Sequence, residues 1–330
     1  MSTEQLATAL AGGRMIVGAD LSGIDLSGRD LSACRFRGVK FTGANLAGAN
    51  LADADFEQSD LSGANLARAN AGGASFADVS FAGATAQAMD CSKAYFTACD
   101  FTKTVFAQAR FVRTDMHACT FAQTDFSRAD LTRLSAMNAD FASAIFSGAR
   151  LVNVFFKACV LTGQDLRTCD LTMAIFNEAK LQGANLSGVA LDRTSLMGAQ
   201  LDGATLAGVR GTYTALIGAQ LANSDLQGAS FMMADASDAD FATARADGSL
   251  WEQSVLQSSR WPRASLRTAR LIHCDLSHAD LSDADLSRAD LSGANLHGVR
   301  QQNTRWDGAN LASARKTDEA LARAEQWRAA

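Results

Sequence analysis

The chain has 330 residues, 48% hydrophobic and 20% charged, with a formal net charge of −5. Acids and bases are intermixed, so no basic stripe points to nucleic acid, and no apolar run is long enough to span a bilayer. No secretory leader is evident and the seven cysteines show no CxxC spacing, so the expected setting is a reducing cytoplasm, not a disulfide framework.

Residues 1–15 precede any regular pattern and read as an N-terminal helical cap. Ser2 or Thr3 would start a helix through Gln5, Leu6, Ala9 and Leu10, and Gly12-Gly13 would stop it. A five-residue beat then runs over residues 16–315. Its apolar centres fall on Leu21, Leu26, Leu31, Phe36, Phe41, Leu46 and every fifth residue to Leu311, without insertion or deletion. Every Phe of the chain except Phe155 sits at this phase. The residue two before each centre is small and mostly apolar, as at Ala44, Ala49, Val79 and Cys99. A period of five matches neither the helix nor the strand period alone. Two inward residues per unit, one apart in alternation, followed by a bend, give short extended segments that coil and stack.

The unit Ala44-Asn45-Leu46-Ala47-Gly48, small residue, Asp or Asn, Leu and two more, resembles the pentapeptide-repeat family, and the likeness covers roughly 19–314. The resemblance implies an all-β fold, a right-handed quadrilateral parallel β-helix. Four units per coil would give about fifteen coils, a rod of roughly 70 Å at the inter-strand spacing. A solenoid leaves apolar ends and open strand edges, so short helical caps are expected at both ends.

Departures from the beat are read in the same order. Phe36, Phe56, Phe76 and Phe96 are twenty apart and should form one interior stack. Ala71, Ala86 and Cys91 remove volume and predict a softer section. The cysteines other than Cys91 occupy the small inward position and replace Ala. Cys99 and Cys119 should stack in neighbouring coils, where a bridge is geometrically conceivable but not expected. Phe155, Ile175, Met197 and Ile217 fall at outward phases and, folded at twenty residues per coil, share one side. This strip is the candidate protein-contact surface. Centres Ala236, Ala246, Trp251 and Trp261, with Pro262, the one proline, imply a strained coil, a bend or displaced indoles, unless each Trp fills the volume that an Ala leaves. Asp275, Asp280, Asp283, Asp285 and Asp290 form an acidic run, read as local bonding to turn backbone. Residues 316–330 read as a C-terminal helical cap. Thr317 is its expected N-cap, and Leu321, Ala324 and Trp327 share a face that would lie over the last coil or serve a homodimer contact.

No catalytic, metal or cofactor constellation emerges. His117, His273, His278 and His297 all fall at outward phases without a partner at ligand spacing. There is no Gly-x-Ser-x-Gly, phosphate-binding loop or nine-residue calcium repeat. The expected function is a non-enzymatic scaffold, a rigid rod that binds a protein partner. The opening Thr3-Glu4-Gln5-Leu6 followed by Gly18-Ala19-Asp20-Leu21 looks like pentapeptide-repeat proteins found with bacterial type VI secretion apparatus, which implies a secretion component as partner. The alternative implied by the family is a DNA mimic that binds DNA gyrase or topoisomerase IV and protects against topoisomerase poisons. Against it, Lys93, Arg110, Arg113, Arg128 and Arg150 interrupt any acidic face. Neither direct nucleic-acid nor membrane binding is expected.

Overall fold

The computed structural model describes Thr8 and residues 14–326, so most of the expected N-terminal cap, and Trp327, lie outside the described residues. The fold follows from where each backbone N–H goes. In the unit centred on Leu46, the Leu46 N–H donates to Asn65 O in the next coil at 2.7 Å, and the Gly48 N–H to Ala67 O at 2.8 Å. The Ala49 N–H closes a turn on Leu46 O at 3.0 Å, and the Asn50 N–H reaches back to Arg29 O at 2.9 Å. One donor is left, the Ala47 N–H, and the Asn45 side chain accepts it at 3.2 Å. An Asp or Asn before the centre therefore supplies the acceptor that the neighbouring coils do not. The same bond recurs at Asp25, Asp60, Asp125, Asp240 and Asp285.

The chain forms two compact units, Met1–Val160 with Thr168–Asp170, and Leu161–Arg167 with Leu171–Ala330. In the first, seven short strands build one parallel sheet in sequence order: β1 (Met15–Val17), β2 (Arg35–Arg37), β3 (Asp55–Glu57), β4 (Ser75–Ala77), β5 (Tyr95–Thr97), β6 (Asp115–His117) and β7 (Ser135–Ala136). Partners are twenty residues apart, as Phe36 with Phe56 and Phe56 with Phe76. The middle residues of β1 to β6, and Ala136 in β7, are buried, because alternate side chains leave opposite faces. The phenylalanines stack as expected, with centroids 4.8 Å apart for Phe36–Phe56, 5.0 Å for Phe56–Phe76 and 4.8 Å for Phe76–Phe96. On this side the corner lacks the turn bond seen at Ala49, so the backbone stays extended one residue longer. The other sides pair through single parallel bridges, also twenty apart. Bridges Asn70↔Asp90 and Thr85↔Val105 run unbroken past Ala71, Ala86 and Cys91, all fully buried, so no gap opens there.

The second unit is a solenoid of single bridges from Asp165↔Asn185 to Asn295↔Arg315. Continuous strands thus account for only about six turns, fewer than the fifteen coils expected, and the twenty-residue step is otherwise carried by bridges and turns. Over residues 236–262, where the sequence leaves a regular coil and a bend both open, the bridges Gln220↔Asp240, Asp240↔Arg260 and Arg245↔Ser265 keep the twenty-residue step. Trp251 and Trp261 are fully buried, as are the small centres Ala236 and Ala246. Each indole N–H donates to a serine two residues earlier, Ser249 Oγ and Ser259 Oγ, both at 2.9 Å. Phe241 stacks on Trp261 at 3.8 Å. Pro262 occupies the position whose N–H elsewhere goes to the Asp or Asn side chain. Here the residue before the centre is Arg260, so no bond is lost, while Pro262 O still accepts the Thr243 N–H at 2.9 Å.

The one named helix among the described residues is α1 (Glu319–Gln326). Its N-cap is Asp318, not Thr317: Asp318 Oδ1 accepts the N–H groups of Ala320 and Leu321 at 2.9 and 3.1 Å. Thr317 Oγ1 instead accepts the Gly298 N–H at 3.2 Å and ties the connection to the solenoid.

Candidate interaction surface

The bend sets which outward residues reach solvent. The residue two after a centre takes a left-handed backbone, as at Met173 (φ 58°), Tyr213 (φ 57°) and Met233 (φ 54°), and its side chain leaves the corner. The residue one after a centre is mostly half-buried against the adjacent coil. Of the expected strip, Phe155 lies in the first unit and is half-buried. In the second unit Ile175 and Ile217 are half-buried and Met197 is 39% exposed. A set that phase alone did not single out is also exposed: Tyr213 at 57%, with Met173, Met232 and Met233 at 37–38%, level with Met197. Tyr213 and Met233 occupy the same corner of consecutive coils, with the Tyr213 N–H donating to Met232 O at 3.2 Å. Met173 shares that corner two coils earlier. The signal was present in the sequence as Met173, Tyr213 and Met233 at multiples of twenty.

Charge on the coil sides is neutralised along the stack. In the second unit, Arg260 pairs with Asp240 at 3.4 Å, Arg300 with Asp280 at 3.2 Å and Arg305 with Asp285 at 3.6 Å, each one coil apart. In the first unit, Arg110 pairs with Asp90 at 3.4 Å, and Asn45 and Asn65 extend an amide ladder from Asp25 at 2.9 and 3.1 Å. Turn hydrogen bonds hold several carboxyls below their usual value. The chief cause is the Ser27 backbone N–H at Asp25 and the Ser292 hydroxyl at Asp290.

Two histidines depart from expectation. His278 and His297 both meet Glu325 of α1, at 3.4 and 3.2 Å from Nε2, a partner too distant in sequence to be read from spacing. His297 is buried despite its outward phase, because α1 covers it. Its Nδ1 accepts the Asp318 N–H at 3.0 Å, which leaves the ring proton on Nε2 to donate to Glu325. With both ring nitrogens so engaged, the cluster fastens α1 to the side of the solenoid; a metal ligand would need the Nε2 lone pair. Trp327, which with Leu321 makes the face expected over the last coil, lies outside the described residues. Leu321 is 48% exposed, and Leu311 in the last coil is 38% exposed. Among the described residues no helix is long and apolar enough to cross a membrane.

A family model described as pentapeptide repeats matches the chain in eight copies, over residues 19–58, 59–90, 90–128, 137–172, 174–210, 213–250, 252–288 and 264–300. No curated protein matches it significantly. Among solved structures it is similar to QnrB1, described as a plasmid-mediated fluoroquinolone resistance protein, at 21% identity over 63% of this chain and 94% of that one, with a TM-score of 0.39. It is also similar to HetL, a pentapeptide repeat protein involved in heterocyst differentiation regulation from the cyanobacterium Nostoc sp. strain PCC 7120, at 22% identity over 95% of this chain and 96% of that one, TM-score 0.19. A pentapeptide repeat protein from the Arabidopsis thaliana thylakoid lumen shares 28% identity over 33% of this chain and 66% of that one, TM-score 0.19.

Proposed function

The chain belongs to the pentapeptide-repeat family, and from that premise we propose that it is a non-enzymatic scaffold that binds a protein partner through the apolar corner of its second unit. The observation that carries this reading is the gathering of the exposed residues Tyr213, Met232 and Met233 on consecutive coils, with Met173 two coils earlier. Exposed apolar side chains that cluster mark contact surfaces. Tyr and Met suit such a surface: tyrosine offers a large rigid ring with a polar tip, and methionine adapts its shape to what it meets. Ile175, Met197 and Ile217 extend the same face around the coil. The partner is a component of a secretion apparatus in the first instance.

The test is a binding titration of the full chain against purified type VI secretion components, with Tyr213→Gly/Met233→Gly as the control. Glycine fits the left-handed backbone at both sites, so the fold should be kept while affinity falls at least tenfold. Unchanged affinity in the double variant would remove the corner from the interface. The topoisomerase reading predicts inhibition of gyrase supercoiling at micromolar protein. The Asp–Arg ladders weigh against it, because each arginine neutralises a carboxylate that a phosphate mimic would need exposed.

A further inference from the structure

At the extended corners of the first unit, one inward column carries Ser59, Val79, Cys99, Cys119 and Ala139, each twenty residues from the next. The missing turn bond frees an N–H at each such corner. The Val39 N–H accordingly donates to Ser59 Oγ in the next coil at 3.2 Å, and Cys119 stands toward Cys99 as Ser59 does toward Val39. The bridge Asp100↔Thr120 fixes the register immediately beside the two cysteines. The coil spacing of about 4.8 Å lies within the Cα separation that a disulfide spans, about 4.4–6.8 Å. Both thiols are free. The Cys99 thiol donates to Phe76 O at 3.4 Å and the Cys119 thiol to His117 O at 3.4 Å, so neither is committed to a strong partner. Their exposure differs. Cys99 is fully buried, whereas Cys119 is half-buried beside the smaller Ala139.

We propose that Cys119 and Cys99 form a peroxide-responsive pair, in which Cys119 is the attacking sulfur and Cys99 the resolving one, closing a disulfide between consecutive coils. The Cys119 thiolate attacks one oxygen of a hydroperoxide. The O–O bond breaks, sulfur is oxidised to sulfenic acid, and the peroxide is reduced to water or an alcohol. The Cys99 thiol then attacks the Cys119 sulfur. An S–S bond forms, the S–O bond breaks, and hydroxide leaves with the Cys99 proton as water. Two thiols and one peroxide thus give one disulfide, one water from the resolving step, and one water or alcohol from the peroxide.

The electrostatics agree with these roles. The neighbouring Cys99 side chain, helped by the Cys99 backbone N–H, holds Cys119 below the ordinary thiol value against the opposing effect of burial. The neighbouring Cys119 and burial push Cys99 up. Cys159 and Cys274, buried elsewhere, are pushed up to about 12 and stay unreactive. Side chains stacked in parallel register must draw together to bond, and a strained disulfide is readily reduced, so the link is reversible.

The test treats the full chain with equimolar hydrogen peroxide and maps tryptic peptides without reduction. The expected result is peptide 94–103 joined to peptide 114–128, two thiols lost, and both recovered with dithiothreitol. Cys99→Ser should stop at a sulfenic acid on Cys119 that dimedone traps. Cys119→Ser should yield neither the link nor an oxidised Cys99. An unreacted Cys119 in the native chain would overturn the proposal, as would its direct passage to sulfinic acid with Cys99 still a thiol. A link shown by isotope mixing to join two different chains would also overturn it. The native chain alone decides these outcomes, whether or not either variant folds.

Discussion

Ser259→Ala is expected to destabilise the second unit by about 1–3 kcal/mol, the cost of leaving one buried donor unpaired. Ser259 Oγ is the acceptor for the Trp261 indole N–H at 2.9 Å, and Trp261 is 1% exposed, so water cannot replace it. The other bond of the hydroxyl, to Leu256 O, is not the source of the loss. That carbonyl keeps the Ser259 backbone N–H at 3.2 Å. Truncation removes one oxygen and no apolar volume, so cavity formation contributes little. The assay is urea unfolding followed by indole fluorescence, with a shifted midpoint at constant slope as the readout. Ser249→Ala repeats the experiment one unit pair earlier, where Trp251 Nε1–H donates to Ser249 Oγ at 2.9 Å. In the Trp261→Phe background the serine has no indole to serve, so Ser259→Ala should cost less than about 0.5 kcal/mol there. Equal costs in both backgrounds, or no cost in either, would refute the claim that the serines are what let indoles fit this core.

Phe76→Ala should cost about 3–5 kcal/mol, because Phe76 is stacked between Phe56 and Phe96, whereas Tyr95→Ala, on the exposed phase, should change stability by less than about 0.5 kcal/mol; thermal melts of the two compare them. Gly211→Leu restores the regular centre yet should destabilise by about 1–3 kcal/mol, since a Cβ there runs into Thr214 Oγ1, with Leu191 and Phe231 close behind. Carboxyls such as Asp25 and Asp290 are depressed in the folded chain, so their contribution is present above the unfolded value of about 4 and disappears as pH falls through the lower folded value. Denaturant midpoints should therefore be level from about pH 7 to 5 and drop below about 4. Tyr213→Gly/Met233→Gly should melt within about 1 kcal/mol of the native chain while losing partner binding, because the left-handed backbone at both sites admits glycine without strain.

The core was legible because phase alone decides it. Leu and Phe at every fifth residue are buried from Leu21 to Leu291, and the small residues before them fill the remaining interior. The acceptor role of Asp and Asn could also be read, since short polar side chains bond to turn backbone. Phase could not rank the outward positions. The residue one after a centre packs against the next coil and the residue two after it stands clear, so Tyr213 and Met233 surpass Ile217 in exposure. Phase also could not show that Trp251 and Trp261 bring their own acceptors in Ser249 and Ser259, which lets both indoles sit inside the coil. The grip of Glu325 on His278 and His297 depends on where α1 folds back, and no local spacing encodes that.

The hydrogen-bond scheme counts in twenties: the Leu46 N–H must find Asn65 O, and the Asn50 N–H must find Arg29 O. Losing one amino acid would rotate every later Leu and Phe out of the interior at once, while losing twenty would restore each donor to an equivalent acceptor. Such a gene is therefore unforgiving of small deletions and tolerant of large ones, so homologues should differ in length by whole coils.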